Sequence, residues 1–188
     1  MTSYLQRKLF SVAEYYQLAQ VGILKDTDRV ELINGEIITM SPINSPHGGM
    51  VNRLTRLFFK LLNDQVTITV QNPITLDNYS EPEPDLVIAK FDEDDYEKKH
   101  PQPADILLVI EVADSTLEKD RSTKCPLYAK AGIEEYWIVD LVNKKIEIYR
   151  EPAEEEYHFK QVISKKDQVV TAASFDINIP YQKIFTDK

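Results

Sequence analysis

Two near-continuous apolar runs, residues 85–89 (DLVIA) and 106–112 (ILLVIEV), constrain this chain more than any other feature of it. Runs of this length, rich in β-branched residues and lacking alternation, read as central strands covered on both faces. Each run also carries one carboxylate: Asp85 opens the first and Glu111 interrupts the second. A carboxylate at a core-strand position is costly to desolvate unless it is paired, protonated or bound to a cation. One such residue ordinarily signals a structural ion pair. Two, on strands expected to be neighbours, suggest a shared site for a hard divalent ion with oxygen ligands.

The flanking segments supply the cover. Residues 11–24 (SVAEYYQLAQVGIL) have a helical rhythm, with Val12, Tyr15, Tyr16 and Ala19 roughly on one face and Ser11 placed as N-cap. Residues 46–62 (PHGGMVNRLTRLFFKLL) predict a second helix, whose Val51, Leu54, Phe58 and Leu62 belong to an apolar stripe. Arg53, Arg56 and Lys60 fall on another face of it. That basic face reads either as an ordinary solvated surface or as a contact for phosphates. Between the helices, residues 29–40 (RVELINGEIITM) are two β-like runs joined at Asn34-Gly35. This pair favours a type I′ turn, because both central positions take positive φ. The pairing puts Ile33 opposite Glu36, so Glu31, Ile33, Glu36 and Ile38 share one face. Two carboxylates on one half-apolar face are unusual.

Residues 66–71 (VTITVQ) predict a further strand, and 91–103 (FDEDDYEKKHPQP) an acidic surface loop. Residues 115–118 (STLE) have capping-box spacing. Pro126 limits the well-formed helix after it to about residues 123–131, with Gly132 closing it. Residues 136–140, 145–150 and 157–163 predict a β meander, and 177–179 a last short strand. The sum, over residues 1–188, is one α/β domain with a mixed central sheet flanked by helices, with a helix and hairpin at its N-terminus.

Composition narrows the setting. At 188 residues the chain is long enough for a sizeable core. Cys125 is its single cysteine, which excludes an internal disulfide and thiolate zinc sites and implies a reducing, cytoplasmic setting. The first 25 residues hold no signal-peptide apolar region, and the longest apolar run, 106–110, is too short for a bilayer. No membrane partner is therefore expected. A net charge of −9 argues against coating nucleic acid through bulk electrostatics. It leaves room for a local basic face and bound cations.

An ordered series of motifs resembles the Uma2 endonuclease family, of the PD-(D/E)XK, restriction-endonuclease-like superfamily. It comprises residues 31–36 (ELINGE), Ser41-Pro42, His47, 81–85 (EPEPD), 109–112 (VIEV), 114–117 (DSTL), Asp120, Lys124, Tyr128-Ala129 and 131–137 (AGIEEYW). The resemblance covers about residues 10–185. It implies that Pro84-Asp85 carries the first ligand of a Mg²⁺ or Mn²⁺ ion, and that Glu111 is the acid of the second half-motif. Where the superfamily has a lysine two residues further on, this chain has Ala113. The resemblance moves that role to Lys124, whose long side chain can reach one point from several backbone positions. From spacing alone, Lys124 is equally an exposed lysine at a helix terminus.

The resemblance further implies that Glu31 is an accessory acid and a third metal ligand, with Glu36 on its face. His47 is either a ligand or a phosphate contact, or serves neither role. Gln71 touches the site, and Asp120 and Tyr128 support it. Arg53, Arg56 and Lys60 position the backbone of a nucleic acid, with DNA expected. The expected activity is metal-dependent hydrolysis of phosphodiester bonds by a homodimer, since two symmetric sites cut both strands most simply. Two alternatives stand beside it: an inactive nuclease fold that binds nucleic acid or protein, and a hydrolase of another phosphate ester.

Overall fold

A computed structural model describes residues 6–25 and 27–186. Helix α1 (Val12–Gln20) starts at a complete capping box: the Ser11 side chain accepts from the Glu14 amide, and Glu14 accepts from the Ser11 amide. It ends before residue 24 because Gly22 takes a positive φ of 76°, the left-handed conformation that closes helices. Strands β1 (Val30–Ile33) and β2 (Glu36–Thr39) form the expected hairpin, with Glu31 opposite Ile38 and Ile33 opposite Glu36. Asn34 and Gly35 both take positive φ, at 49° and 77°, as a type I′ turn requires.

Helix α2 (Ser45–Leu62) is capped by Asn44, which accepts from the His47 amide at 3.0 Å. Its buried residues are Met50, Val51, Leu54, Phe58 and Leu62. There follow β3 (Val66–Val70), β4 (Leu86–Lys90) and β5 (Ile106–Ala113), then α3 (Leu117–Lys119) and α4 (Cys125–Lys130). Strands β6 (Glu135–Asp140), β7 (Lys145–Ala153) and β8 (Glu156–Ile163) make the meander. Strands β9 (Val169–Ala172) and β10 (Ile177–Pro180) pair with each other before α5 (Tyr181–Ile184).

The central sheet has six strands in the order β3-β4-β5-β6-β7-β8. Only β5 and β6 are parallel. That pair needs a crossover, which the α3–α4 segment supplies. The two apolar runs are indeed adjacent: β4 pairs antiparallel with β5, Leu86 opposite Ile110. Being antiparallel, the start of β4 abuts the end of β5, which brings Asp85 beside Glu111 and Val112.

Alternation along β5 divides the core. Leu108, Ile110 and Val112 join the cluster with α2, while Val109 and Ala113 face the cluster with Leu127 and Tyr128 of α4. Glu111 therefore points toward the α4 face, by the two-residue period of a strand.

The connection after β5 departs from the sequence expectation. No capping box forms at 115–118; the Thr116 hydroxyl instead donates to Asp120 at 2.7 Å. The chain turns helical from Leu117, and residues Asp120–Lys124 form a π turn that runs directly into α4. The Cys125 amide donates to the Asp120 carbonyl, five residues back. The next residue, Pro126, has no amide to donate. A widened turn at this point admits the proline without ending the helical segment.

Candidate active site

The site opens where the end of β5, the start of β4, the first turn of α2, the β1–β2 hairpin and the π turn converge. It is a small cleft of about 70 Å³. Asp85 is anchored by three neighbours. The Val112 amide donates to its Oδ2 at 2.8 Å, Gln71 Nε2 donates to Oδ1 at 3.1 Å, and His47 Nε2 lies 3.0 Å from Oδ2. Gln71 holds this position with a positive φ of 51°, uncommon for a non-glycine residue and typical of strain retained at sites. The hydrogen bond to Asp85 raises the His47 pKa despite partial burial. Among the described residues, His47 Nδ1 is buried with no hydrogen-bond partner.

Glu111 is buried and accepts at Oε1 from both Lys124 Nζ and the Tyr128 hydroxyl, each at 2.8 Å. Burial pushes its carboxyl up to about 8, with Lys124 opposing. Lys124 is itself buried, and although burial disfavours its charge, Glu111, Glu31 and Asp120 raise its pKa. Its ammonium lies 3.3 Å from Glu31 Oε2. Asp120 is raised by burial, opposed by Lys124 and the Thr116 hydroxyl.

Glu31 lines the cleft, as the resemblance implies for an accessory acid, and its carboxylate meets two lysines there. Its Oε1 accepts from Lys119 at 2.5 Å, and its Oε2 accepts from the Glu83 amide at 3.2 Å beside Lys124. Burial raises its pKa, but the two ammoniums overcome this and hold the carboxyl below its ordinary range. Both oxygens are thus engaged in positioning lysines. Glu36 shares the hairpin face but sits at the turn, exposed, paired with Arg7 at 2.7 Å and outside the cleft. Tyr128 lies behind Glu111 rather than in the cleft wall. Arg53, Arg56 and Lys60 line a separate groove.

Lys119, Arg29, Asn44, Glu83 and Asp114 also line the cleft; Glu83 and Asp114 lie within motifs that carry the resemblance, but none of the five was assigned to the site from the sequence. Asn44 donates to Asp114 at 2.5 Å, tying the α2 cap to the end of β5. Lys119 was hidden by its spacing. Five positions before Lys124, it would lie about 140° away around an α-helix. A π turn, bonded from i to i+5, brings both lysines to Glu31.

Among the described residues, no three or more His, Cys, Asp or Glu side chains are grouped so as to hold a metal. The donor chemistry nonetheless fits a hard divalent cation. Magnesium is commonly bound by one or two carboxylates, with water and substrate phosphates completing its shell. Asp85 and Glu111 provide two, and Glu111 Oε2 takes no part in the bonds from Lys124 and Tyr128. Six carboxylates (Glu31, Glu83, Asp85, Glu111, Asp114, Asp120) line the cleft against Arg29, Lys119 and Lys124. That excess of negative charge favours a cation.

A six-stranded mixed sheet flanked by helices, with a charged cleft at one end, places the chain among mixed α/β folds. A crystal structure from Anabaena variabilis, described as that of "a putative nuclease", shares the fold. It aligns with a TM-score of 0.73 at 15% identity, covering 94% of this chain and 98% of the other. Residues 12–180 match the model of the family Uma2, "Putative restriction endonuclease". The chain belongs to the Uma2 family. No curated protein matches it.

Proposed function

We propose that this protein is a divalent-metal-dependent endonuclease that hydrolyses phosphodiester bonds in DNA, with Asp85, Glu111 and Lys124 as its catalytic residues. The observation that carries the reading is the buried contact of Lys124 with Glu111, beside an Asp85 held by the adjacent Val112 amide. Mg²⁺ or Mn²⁺ held by Asp85 and Glu111 would supply Lewis-acid stabilisation of the phosphoryl oxygens. Lys124 offsets negative charge that develops on the non-bridging oxygens as water attacks phosphorus and the leaving oxygen departs. Glu31 positions Lys124 and, through Lys119, keeps a second ammonium at the cleft mouth. His47 and Gln71 orient Asp85. Tyr128 fixes Glu111 from behind.

The 188 residues act as one domain in this reading, in the cytoplasm and as a homodimer, since duplex cleavage needs two symmetric cuts. No helix among the described residues is long and apolar enough to cross a membrane. A non-cutting binding module is the second reading, favoured by Ala113 at the superfamily's lysine position. Plasmid and single-strand cleavage in Mg²⁺, Mn²⁺ or EDTA separates the two. The endonuclease reading expects nicking that EDTA and Asp85→Ala both abolish. Identical background from wild type and Asp85→Ala would overturn it.

A further inference from the structure

The basic face of α2 is neither part of the cleft nor a plain solvated helix surface. Arg53, Arg56 and Lys60 meet Lys183 of α5 across a groove of about 370 Å³, floored by Leu57, Ile179 and Pro180. Among the described residues, no carboxylate lines it. Arg53 is half-buried and donates to the Ile184 carbonyl at 2.7 Å, which holds α5 against α2 and fixes the groove wall. Arg56, Lys60 and Lys183 are exposed, and none of the four cations forms an ion pair with a described residue. In a chain of net charge −9, with acids crowding the cleft, four such cations around one groove are a local reversal of sign. Such a patch attracts an extended polyanion far more strongly than the overall charge suggests.

We infer that this groove is a second nucleic-acid contact, holding the phosphate backbone of a duplex away from the bond being cut; it deepens the nucleic-acid reading of the cleft. Arg53 to Lys60 spans about 10 Å of helix axis at 1.5 Å per residue. That length matches about three base steps of one strand at 3.4 Å each. His47, in the cleft, and Arg56 are about two and a half turns apart and so face opposite sides of α2. The groove therefore engages flanking backbone, not the scissile phosphate. Apart from the four cations, only Asn178 among the described lining residues carries a polar side chain, so the groove's contacts fall mainly on phosphates rather than base edges.

The test measures binding without turnover. A duplex of about 30 base pairs is titrated in EDTA against the Asp85→Asn protein. The same titration is run with Arg56→Glu, Lys60→Glu and Lys183→Glu added together, across a salt series. The proposal expects the triple reversal to weaken binding at least ~10-fold at low salt. It also expects the slope of log K against log salt to flatten by roughly two to three, at about 0.9 for each phosphate no longer neutralised. Circular dichroism checks that the triple variant folds, and single reversals at Arg56 and Lys183 replace it if it does not. An unchanged affinity and slope, or no duplex binding by the parent protein, overturns the groove. Displacement of the duplex by poly-L-glutamate at equal charge also overturns it, as a general anion surface. Loss of cleavage in the plasmid assay with the groove effect intact would remove the nuclease reading alone.

Discussion

Glu111 and Glu147 occupy one row of the sheet, both opposite Ile138 of the strand between them. Side chains directly across a sheet share a face, so the two carboxylates stand about 10 Å apart on the same surface. The same π turn reaches both: Arg121 pairs with Glu147, and Lys124 pairs with Glu111. Their environments are nevertheless opposed. Glu147 accepts from Arg121, from the Tyr149 hydroxyl at 2.5 Å and from Lys160, 3.0 Å away. Burial raises its pKa, but these partners overcome the effect and hold it at about 2. Glu111 shares its one cation with Glu31 and Asp120, and burial prevails. A structural acid is given more partners than its charge requires. Glu111 is left short of them, and on the proposed reading a bound cation would fill the deficit.

The largest test of this contrast is Lys124→Met. It leaves Glu111, Glu31 and Asp120 buried around an apolar side chain. Breaking a buried pair in this way costs about 3–5 kcal/mol, which urea melts at about pH 7 should show. The deficit should shrink as pH falls and the orphaned acids take up protons. Cleavage should drop by at least ~100-fold, the usual scale for removing one charge-stabilising group.

Glu147→Gln comes next. Losing charge-assisted hydrogen bonds is expected to cost about 1.5–3 kcal/mol, with cleavage retained. Because the folded pKa of Glu147 lies below the ordinary 4.5, its contribution is fully present above pH 4.5. It fades as pH falls toward about 2, so wild-type and variant melting curves should converge there.

Glu111→Gln should show the reverse slope. A carboxyl raised from 4.5 to about 8 favours the folded state most below pH 4.5, and that advantage is lost as pH rises through about 8. The Gln variant has no such proton to lose. Its melting temperature relative to wild type should therefore climb between pH 4.5 and about 8 and level off above. Parallel curves for Glu111→Gln and Glu147→Gln would erase the distinction between the two acids. The smallest effect belongs to Tyr128→Phe, which removes one hydrogen bond to Glu111 and should cost about 1 kcal/mol.

Much of this architecture was legible in the residues. The adjacency of β4 and β5 followed from two unalternating apolar runs, and the hairpin register followed from Asn34-Gly35. Asp85 and Glu111 stood out as charges within those runs, and the structure brings them to one cleft with Lys124. The turn after β5 was not legible. Capping-box spacing and Pro126 pointed to a break, because both rules assume α-helical periodicity, whereas a π turn changes the period locally. Glu36 misled for a related reason: alternation assigns a face but not a position along it, and Glu36 sits at the exposed end.

By itself, then, the sequence determined the strands of the central sheet, the hairpin and the two anomalous carboxylates, because local periodicity and desolvation cost act within short segments; the short strand β9 was not foreseen. Tertiary structure decided which cation serves which acid. One π turn sends Arg121 to a saturated carboxylate and Lys124 to an underserved one, and places Lys119 on Glu31. It also set Lys183 beside the basic face of α2. Such pairings depend on distances between segments remote in sequence, and electrostatic interactions follow those distances and the burial that only packing creates.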